Sequence, residues 1–418
     1  MRILLETYGC TFNQADSNAI AQALRKSGHS LAKSEQSAQA VIVNTCGVKN
    51  ATENRVLHRL HQLAKKRKKT IATGCLAQAT PERILAANPD ASIVGTFSQS
   101  SFIEVVEATA REKPVRLLDR NGFLEQCPQV DGVTSTVQIA RGCLGSCSFC
   151  QTKLARGGLE SIPPKTILNA CETAAAHGAK EIRLTAQDAG CYGLDCGTNL
   201  AELVEEITKI RGRFRVRVGM TNPEHCLKIM PALLKAFESN KVYKFLHVPL
   251  QSGSDGVLTT MKRGHSAKDF QRAVSLFRKK FPDAMIATDV IAGFPTESEA
   301  DFEKTIKAIE EAQPDFANVS RYSPRPKTAA AAMKQLPDAV VGERTRKLSA
   351  LCRRILVEKN HRRVGTKGIA VVTERAKNGW LARFENYVPI LVDDGELGEF
   401  VSLRVKSAGN VACRGERI

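Results

Sequence analysis

Cys143, Cys147 and Cys150 stand in the run Arg-Gly-Cys-Leu-Gly-Ser-Cys-Ser-Phe-Cys. This C-x3-C-x2-C spacing gathers three thiolates in one short loop. An iron–sulfur cube ordinarily takes four protein thiolates, so three leave one iron open to a substrate or cofactor. A structural zinc site takes four closed ligands, commonly from C-x2-4-C pairs. Cys171 and His177 lie too far downstream to complete such a set. The opposing reading is three buried, inert cysteines. Cys10, Cys46 and Cys75 form a second candidate triplet, each beside a glycine: Gly9, Gly47 and Gly74. Cys127, Cys171, Cys191, Cys196, Cys226, Cys352 and Cys413 carry no motif; Cys191 and Cys196 have a C-x4-C spacing that is read as incidental rather than metal-binding.

The elements around these cysteines set where they lie. Short apolar strands are expected at Ile3–Leu5, Ala40–Val43, Thr70–Ala72 and Ser92–Val94. Helices are expected over about Gln14–Lys26, Ala51–Lys66, Pro81–Asn88 and Ser101–Arg111. Such alternation predicts a small parallel α/β domain over residues 1–111. Cys10, Cys46 and Cys75 follow its first three strands. In a parallel sheet the carboxyl ends of strands share one edge, so the three thiols should converge there. The polar segment 112–131 reads as a linker.

A second alternation occupies residues 132–358. Strands are expected at Thr136–Ala140, Ile182–Thr185, Arg215–Val218, Phe245–Val248, Met285–Val290 and Ala317–Arg321, with helical patterns between them. A partial (βα)6 barrel is the natural closure, and its first strand delivers the C-x3-C-x2-C loop to the edge where barrels place chemistry. After a helical pattern ending near Arg363, residues 365–418 lose the helical period, and a third domain is set at 359–418. Short β runs at Ile369–Thr373, Trp380–Phe384, Tyr387–Leu391 and Glu399–Val405 predict a small OB-like β-barrel of the kind that binds oligonucleotides. The fold class is therefore α/β and multidomain.

The chain has 418 residues, 43% hydrophobic and 25% charged, with a formal net charge of +18 from 61 basic and 43 acidic residues. That balance favours a polyanionic partner, most simply nucleic acid. Basic residues concentrate at Lys65–Lys69, at Arg211, Arg213, Arg215 and Arg217, and between Arg344 and Arg363. No stretch resembles a membrane span or a signal peptide, so a cytoplasmic protein with reduced thiols is expected.

With these residues in hand, the chain resembles the radical S-adenosylmethionine superfamily, through C-x3-C-x2-C on the first strand of a six-stranded barrel. More narrowly it resembles the methylthiotransferases. The contexts YGC, NTC and TGC of Cys10, Cys46 and Cys75 look like their amino-terminal domain. The runs His247–Ser254 (HVPLQSGS), Met261–His265 (MKRGH) and Asp289–Glu297 (DVIAGFPTE) look like their barrel, and the tail looks like their TRAM domain. The run Gln151–Gly157, containing T-K-x-A-R-G, is similar to the archaeal and eukaryotic branch acting on N6-threonylcarbamoyladenosine in tRNA. Two sister branches share the cysteines. One acts on isopentenyladenosine and one on an aspartate of a ribosomal protein.

The resemblance implies two [4Fe-4S] clusters, S-adenosylmethionine, tRNA as partner, a sulfur donor of unknown kind and an electron donor such as ferredoxin or flavodoxin. One S-adenosylmethionine would methylate sulfur at the Cys10/Cys46/Cys75 cluster. A second would be cleaved at the Cys143/Cys147/Cys150 cluster, giving a radical that takes hydrogen from adenine C2. Gln187 and Asp188 follow the second barrel strand and would contact the cofactor, or else cap a helical turn. Arg217, His247 and Gln251 are placed by position near the upper rim, as cofactor contacts or as satisfied structural groups. Arg156 would meet a tRNA phosphate or the threonylcarbamoyl carboxylate, or else lie on the surface. A non-catalytic metal-cluster RNA-binding protein is the alternative from another class; two triplets each lacking a fourth ligand speak against it.

Overall fold

A computed structural model describes residues 1–418 apart from 48–49, 121 and 125–127; Cys127 thus lies outside the described residues. The amino-terminal domain is a parallel sheet. Its first strand, Arg2–Thr7, pairs with Ala40–Thr45, which pairs with Lys69–Gly74, which pairs with Ser92–Val94. The four expected strands and the four helices all form. One difference lies in the segment expected to be a linker: Arg116–Leu117 adds in parallel to Ser92–Val94 and extends the sheet. Two residues are too few to register as a strand from period alone. Helix Thr11–Lys26 covers one face through Ile20 and Leu24, and helix Asn50–Lys65 covers the other through Val56, Leu60 and Leu63.

All six barrel strands form, in parallel, at Thr134–Gln138, Glu181–Thr185, Arg215–Arg217, Phe245–His247, Met285–Ala292 and Phe316–Arg321. A parallel bridge between Val216 and Val242 joins the third strand to the approach of the fourth. Side chains alternate across each strand. Ile182, Leu184, Val216, Leu246, Ile286 and Val290 face the surrounding helices and form the largest core. The opposite set, Arg183, Arg217, His247, Asp289 and Asn318, lines the lumen and is polar.

A 25-residue helix, Asp338–Arg362, leads to the tail. The tail is a closed five-stranded barrel. Its fifth strand, Cys413–Arg417, lies outside the expected set, because its sequence CRGER has no apolar alternation. This strand closes the barrel by pairing in parallel with Pro389–Val392 and antiparallel with Phe400–Ser407.

Much of the basic charge is engaged within the protein. In the run Lys65–Lys69, Lys66 pairs with Glu35, Lys68 donates to the Ala38 carbonyl and Lys69 to that of Ala110. Along the long helix, Arg344 pairs with Glu297 and Glu299, while Lys359 and Arg363 pair with buried Asp315. Arg213 stacks on Phe400 and Arg215 reaches Glu385, docking the small barrel. No helix among the described residues is long and apolar enough to cross a membrane.

Candidate active site

The register of the amino-terminal sheet brings the first triplet together. Thr7 lies beside Asn44, and Thr45 beside Gly74, so the loops carrying Cys10, Cys46 and Cys75 leave one edge. Buried Asn13 fastens two of them, its Nδ2 donating to the Tyr8 carbonyl at 2.8 Å and the Thr45 carbonyl at 2.9 Å. Two glycines are required here. Gly9 has φ +117°, and a Cβ on it would lie 3.0 Å from the Cys46 sulfur. Gly74 has φ +90°, and a Cβ would lie 2.4 Å from the Thr45 carbonyl oxygen. Only glycine permits both this backbone and this approach.

The second triplet follows the short strand Ala140–Arg141. Ser148 laces its loop to the barrel, donating through its backbone to the Met261 carbonyl at 3.0 Å and through its hydroxyl to that of Thr260 at 2.8 Å. Donors among the described residues reach three of these sulfurs. The Gly145 N–H donates to Cys143 Sγ at 3.3 Å, Arg263 Nη1 to Cys147 Sγ at 3.3 Å and Arg156 Nε to Cys75 Sγ at 3.4 Å.

These surroundings fit iron clusters. Burial pushes the Cys75 and Cys143 thiols up to about 11, and their neighbouring cysteines add to the rise. Three thiolates can share such a site only with a cation to compensate them, and N–H donors aimed at sulfur are the usual tuning of an iron–sulfur site.

The amino-terminal domain meets the barrel at the end that carries the second triplet. Thr11 and Thr185 share a hydroxyl hydrogen bond of 3.2 Å. Gln138 Nε2, at the end of the first barrel strand, donates to Asp16 Oδ1 at 2.8 Å. Gln151, one residue after Cys150, brings its Oε1 to within 2.9 Å of where a Gly47 Cβ would lie, beside Cys46. That oxygen is buried with no hydrogen-bond partner among the described residues.

The remaining expected residues divide. Gln187 Oε1 is likewise buried with no hydrogen-bond partner among the described residues. Asp188 is fully engaged instead. It caps the turn at Gly190 N (2.9 Å) and accepts from Asn222 Nδ2 (2.6 Å) and His225 Nδ1 (2.7 Å). His247 Nε2 bonds Asp289 Oδ2 at 2.8 Å, and Asn318 holds the other oxygen at 2.8 Å. Gln251 takes φ +63° and its backbone brackets Asp289 and Ile291. Arg217 is not at the rim. It lies deeper, against Phe245 and Tyr387, because its register partner Arg183 is mid-strand.

Arg156 corrects the sequence reading most sharply. The guanidinium is buried, pairs with Asp16 at 2.7 Å, and donates to Asn13 Oδ1 at 2.9 Å as well as to Cys75. It joins the two domains rather than offering itself to RNA. Cys191 is buried with its thiol on the Asp188 carbonyl, whereas Cys196 is exposed, so the C-x4-C pair makes no shared site. Sequence reasoning missed Asn13, Asp16 and Arg263; Arg263 lies inside the run MKRGH and could have been singled out there.

A cleft beside Cys147 is lined by Asn222, Glu224, His225, Arg263 and His265. Burial, with Arg263 adjacent, pushes the His265 imidazole down to about 4. An unfolded imidazole protonates near 6.5, so this contribution to stability is intact above pH 6.5 and is lost as pH falls towards 4, by about 3 kcal/mol. His265→Gln should therefore lose less melting temperature than the parent over that interval; equal losses would show that His265 does not govern it.

The sequence profile of the radical SAM superfamily matches residues 137–309, and that of uncharacterized protein family UPF0004 matches residues 2–95. The chain is 41% identical, over all of both chains, to a probable threonylcarbamoyladenosine tRNA methylthiotransferase of Pyrococcus horikoshii. It is 32% identical to the threonylcarbamoyladenosine tRNA methylthiotransferase of Homo sapiens, over all of this chain and 74% of that one. The chain belongs to the threonylcarbamoyladenosine tRNA methylthiotransferase family. Among solved structures, the radical S-adenosylmethionine methyltransferase TsrM of Kitasatospora setae aligns with TM-score 0.56 at 14% identity, covering 79% of this chain and 74% of that one. That likeness is one of fold. As a methylthiotransferase of this family the chain is a radical-SAM transferase with two [4Fe-4S] clusters and S-adenosylmethionine as cofactors.

Proposed function

We propose that this chain places a methylthio group on adenine C2 of N6-threonylcarbamoyladenosine in tRNA, near the anticodon. The observation that carries the reading is the pair of cysteine triplets joined through Arg156, Asn13 and Gln151 at one end of a polar barrel. Cys143, Cys147 and Cys150 would hold the cluster whose bound S-adenosylmethionine supplies the carbon-centred radical that an unactivated aromatic C–H needs. Cys10, Cys46 and Cys75 would hold the cluster that carries the sulfur to be transferred. Around them, Gln187 offers an acceptor at the cofactor's edge, and Arg263 orients and screens the Cys147 sulfur. Helix Thr11–Lys26 packs over the ends of the first two barrel strands, through Thr11 to Thr185 and Asp16 to Gln138. Its partners in this reading are tRNA and a low-potential electron donor such as ferredoxin or flavodoxin, in the cytoplasm. We assign residues 1–111, 132–358 and 359–418 to the amino-terminal, barrel and TRAM domains.

Nucleoside mass spectrometry of tRNA from a host lacking the modification tests the reading. Introducing this gene should produce the 2-methylthio derivative of threonylcarbamoyladenosine. A methylthiolated ribosomal protein or isopentenyladenosine in its place would overturn the substrate assignment.

A further inference from the structure

The amino-terminal end of the barrel is closed by the small carboxy-terminal barrel. Tyr387 enters from it, with ring centroids 4.8 Å from both Tyr243 and Phe245. The Tyr387 and Tyr243 hydroxyls each donate to fully buried Glu181, at 3.2 Å. Three guanidiniums share this floor, those of Arg183, Arg217 and Arg383. Two carboxylates, Glu181 and Glu374, balance them. Arg183 pairs with both and Arg383 pairs with Glu374 at 3.2 Å. The neighbouring cations Arg215 and Lys244 share Glu385, and His247 has Asp289.

Arg217 is left over. Its guanidinium carbon lies 5.0 Å from the Phe245 ring and 5.8 Å from that of Tyr387. Among the described residues no carboxylate pairs with it. Arg383 Nε, on the same floor, is buried without a hydrogen-bond partner. Glu181 attracts the Arg217 guanidinium from beyond ion-pair distance, but its carboxylate is held by Arg183, Tyr243 and Tyr387. A cation without a directly paired counter-charge is costly to bury, and a bound anion would offset that cost. Aromatic rings beside a guanidinium leave its N–H edge free for two-pronged binding of a carboxylate.

We propose that Arg217 is the anchor for the carboxylate of the substrate's threonylcarbamoyl group, and so a residue that sets substrate specificity. This rests on the function proposed above. An adenine with C2 at the rim, beside the clusters, sends its N6 substituent off at a wide angle from C2, into the lumen. An apolar isopentenyl group there would leave Arg217 uncompensated, which disfavours the sister substrate.

The test uses the reconstituted full-length enzyme and two anticodon stem–loop RNAs, one carrying N6-threonylcarbamoyladenosine and the other its methyl ester. Equilibrium binding is measured without reductant, and kcat and KM with it. The parent enzyme should prefer the acid by roughly 10- to 100-fold. R217Q should cut that preference to within about threefold, mainly through KM on the acid, and R217K should fall between. Retention of the full preference by R217Q overturns the proposal. So does equal weakening towards both RNAs, which marks a structural role. If R217Q does not fold, the parent and R217K decide; a parent with no acid preference in binding overturns it. A parent that binds the acid preferentially yet methylthiolates neither RNA would instead overturn the proposed function and leave the anchor standing.

Discussion

Cys46→Ala is expected to abolish methylthiolation while radical cleavage of S-adenosylmethionine persists. Cys46 is buried in the first triplet, against the close approach of Gly9, and belongs to a different domain from the loop of Cys143, Cys147 and Cys150. Losing one of three ligands leaves two thiols, too few for a cube with an open iron. Iron should fall from about eight to about four atoms per chain after anaerobic reconstitution. The second loop is fastened independently, by Ser148 to Thr260 and Met261 and by Arg263 to Cys147, so its chemistry should survive. The measurements are 5′-deoxyadenosine formation, total iron and nucleoside mass spectrometry. Full methylthiolated product from the variant would sink the two-site reading.

Arg156→Ala should be the most destabilising single change at the junction of the two domains. Both members of the Arg156–Asp16 pair are almost wholly buried. Burial alone would depress the guanidinium, but Asp16 and the Cys75 sulfur more than offset it and hold it above its ordinary value. Removing one partner of such a pair typically costs 3–5 kcal/mol, because the other charge stays buried. The same deletion frees Asn13 Oδ1 and Cys75 Sγ, so the amino-terminal site should also lose iron more readily to a chelator. Thermal denaturation and the rate of chelator-driven iron release read the two effects. Arg156→Lys should recover little, since an ammonium cannot reach Asp16, Asn13 and Cys75 with one planar fork. An unchanged melting temperature in Arg156→Ala would show that the domains are held by other contacts, such as Arg325 with Glu53.

Both cysteine triplets could be read from the sequence because their information is local. The spacing 143, 147, 150 is a single loop, and Cys10, Cys46 and Cys75 each follow an apolar strand. Strands with short runs of apolar, β-branched residues, such as Ala40–Thr45 and Met285–Ala292, were legible for the same reason. What escaped depends on docking. Arg156 meets Asn13 across 143 positions of sequence, and nothing beside either residue announces the other. Arg156 therefore reads from sequence as a contact for tRNA phosphate or the threonylcarbamoyl carboxylate, whereas its helix, Thr152–Arg156, packs on Cys75–Ala79. Likewise the alternating arginines from Arg211 to Arg217 read as one basic stripe. Their roles separate only when Phe400, Glu385 and Tyr387 arrive from a distant domain. Strand Cys413–Arg417 escaped because its closing partners, not its own pattern, make it a strand.

The Tyr387 stopper has a consequence in time. A chain grows from its amino terminus, so all six cysteines leave the ribosome by residue 150, whereas the wall that shuts the barrel leaves last. Until then the amino-terminal end of the barrel stays open. Completion of the last domain is thus what closes the amino-terminal end of the barrel.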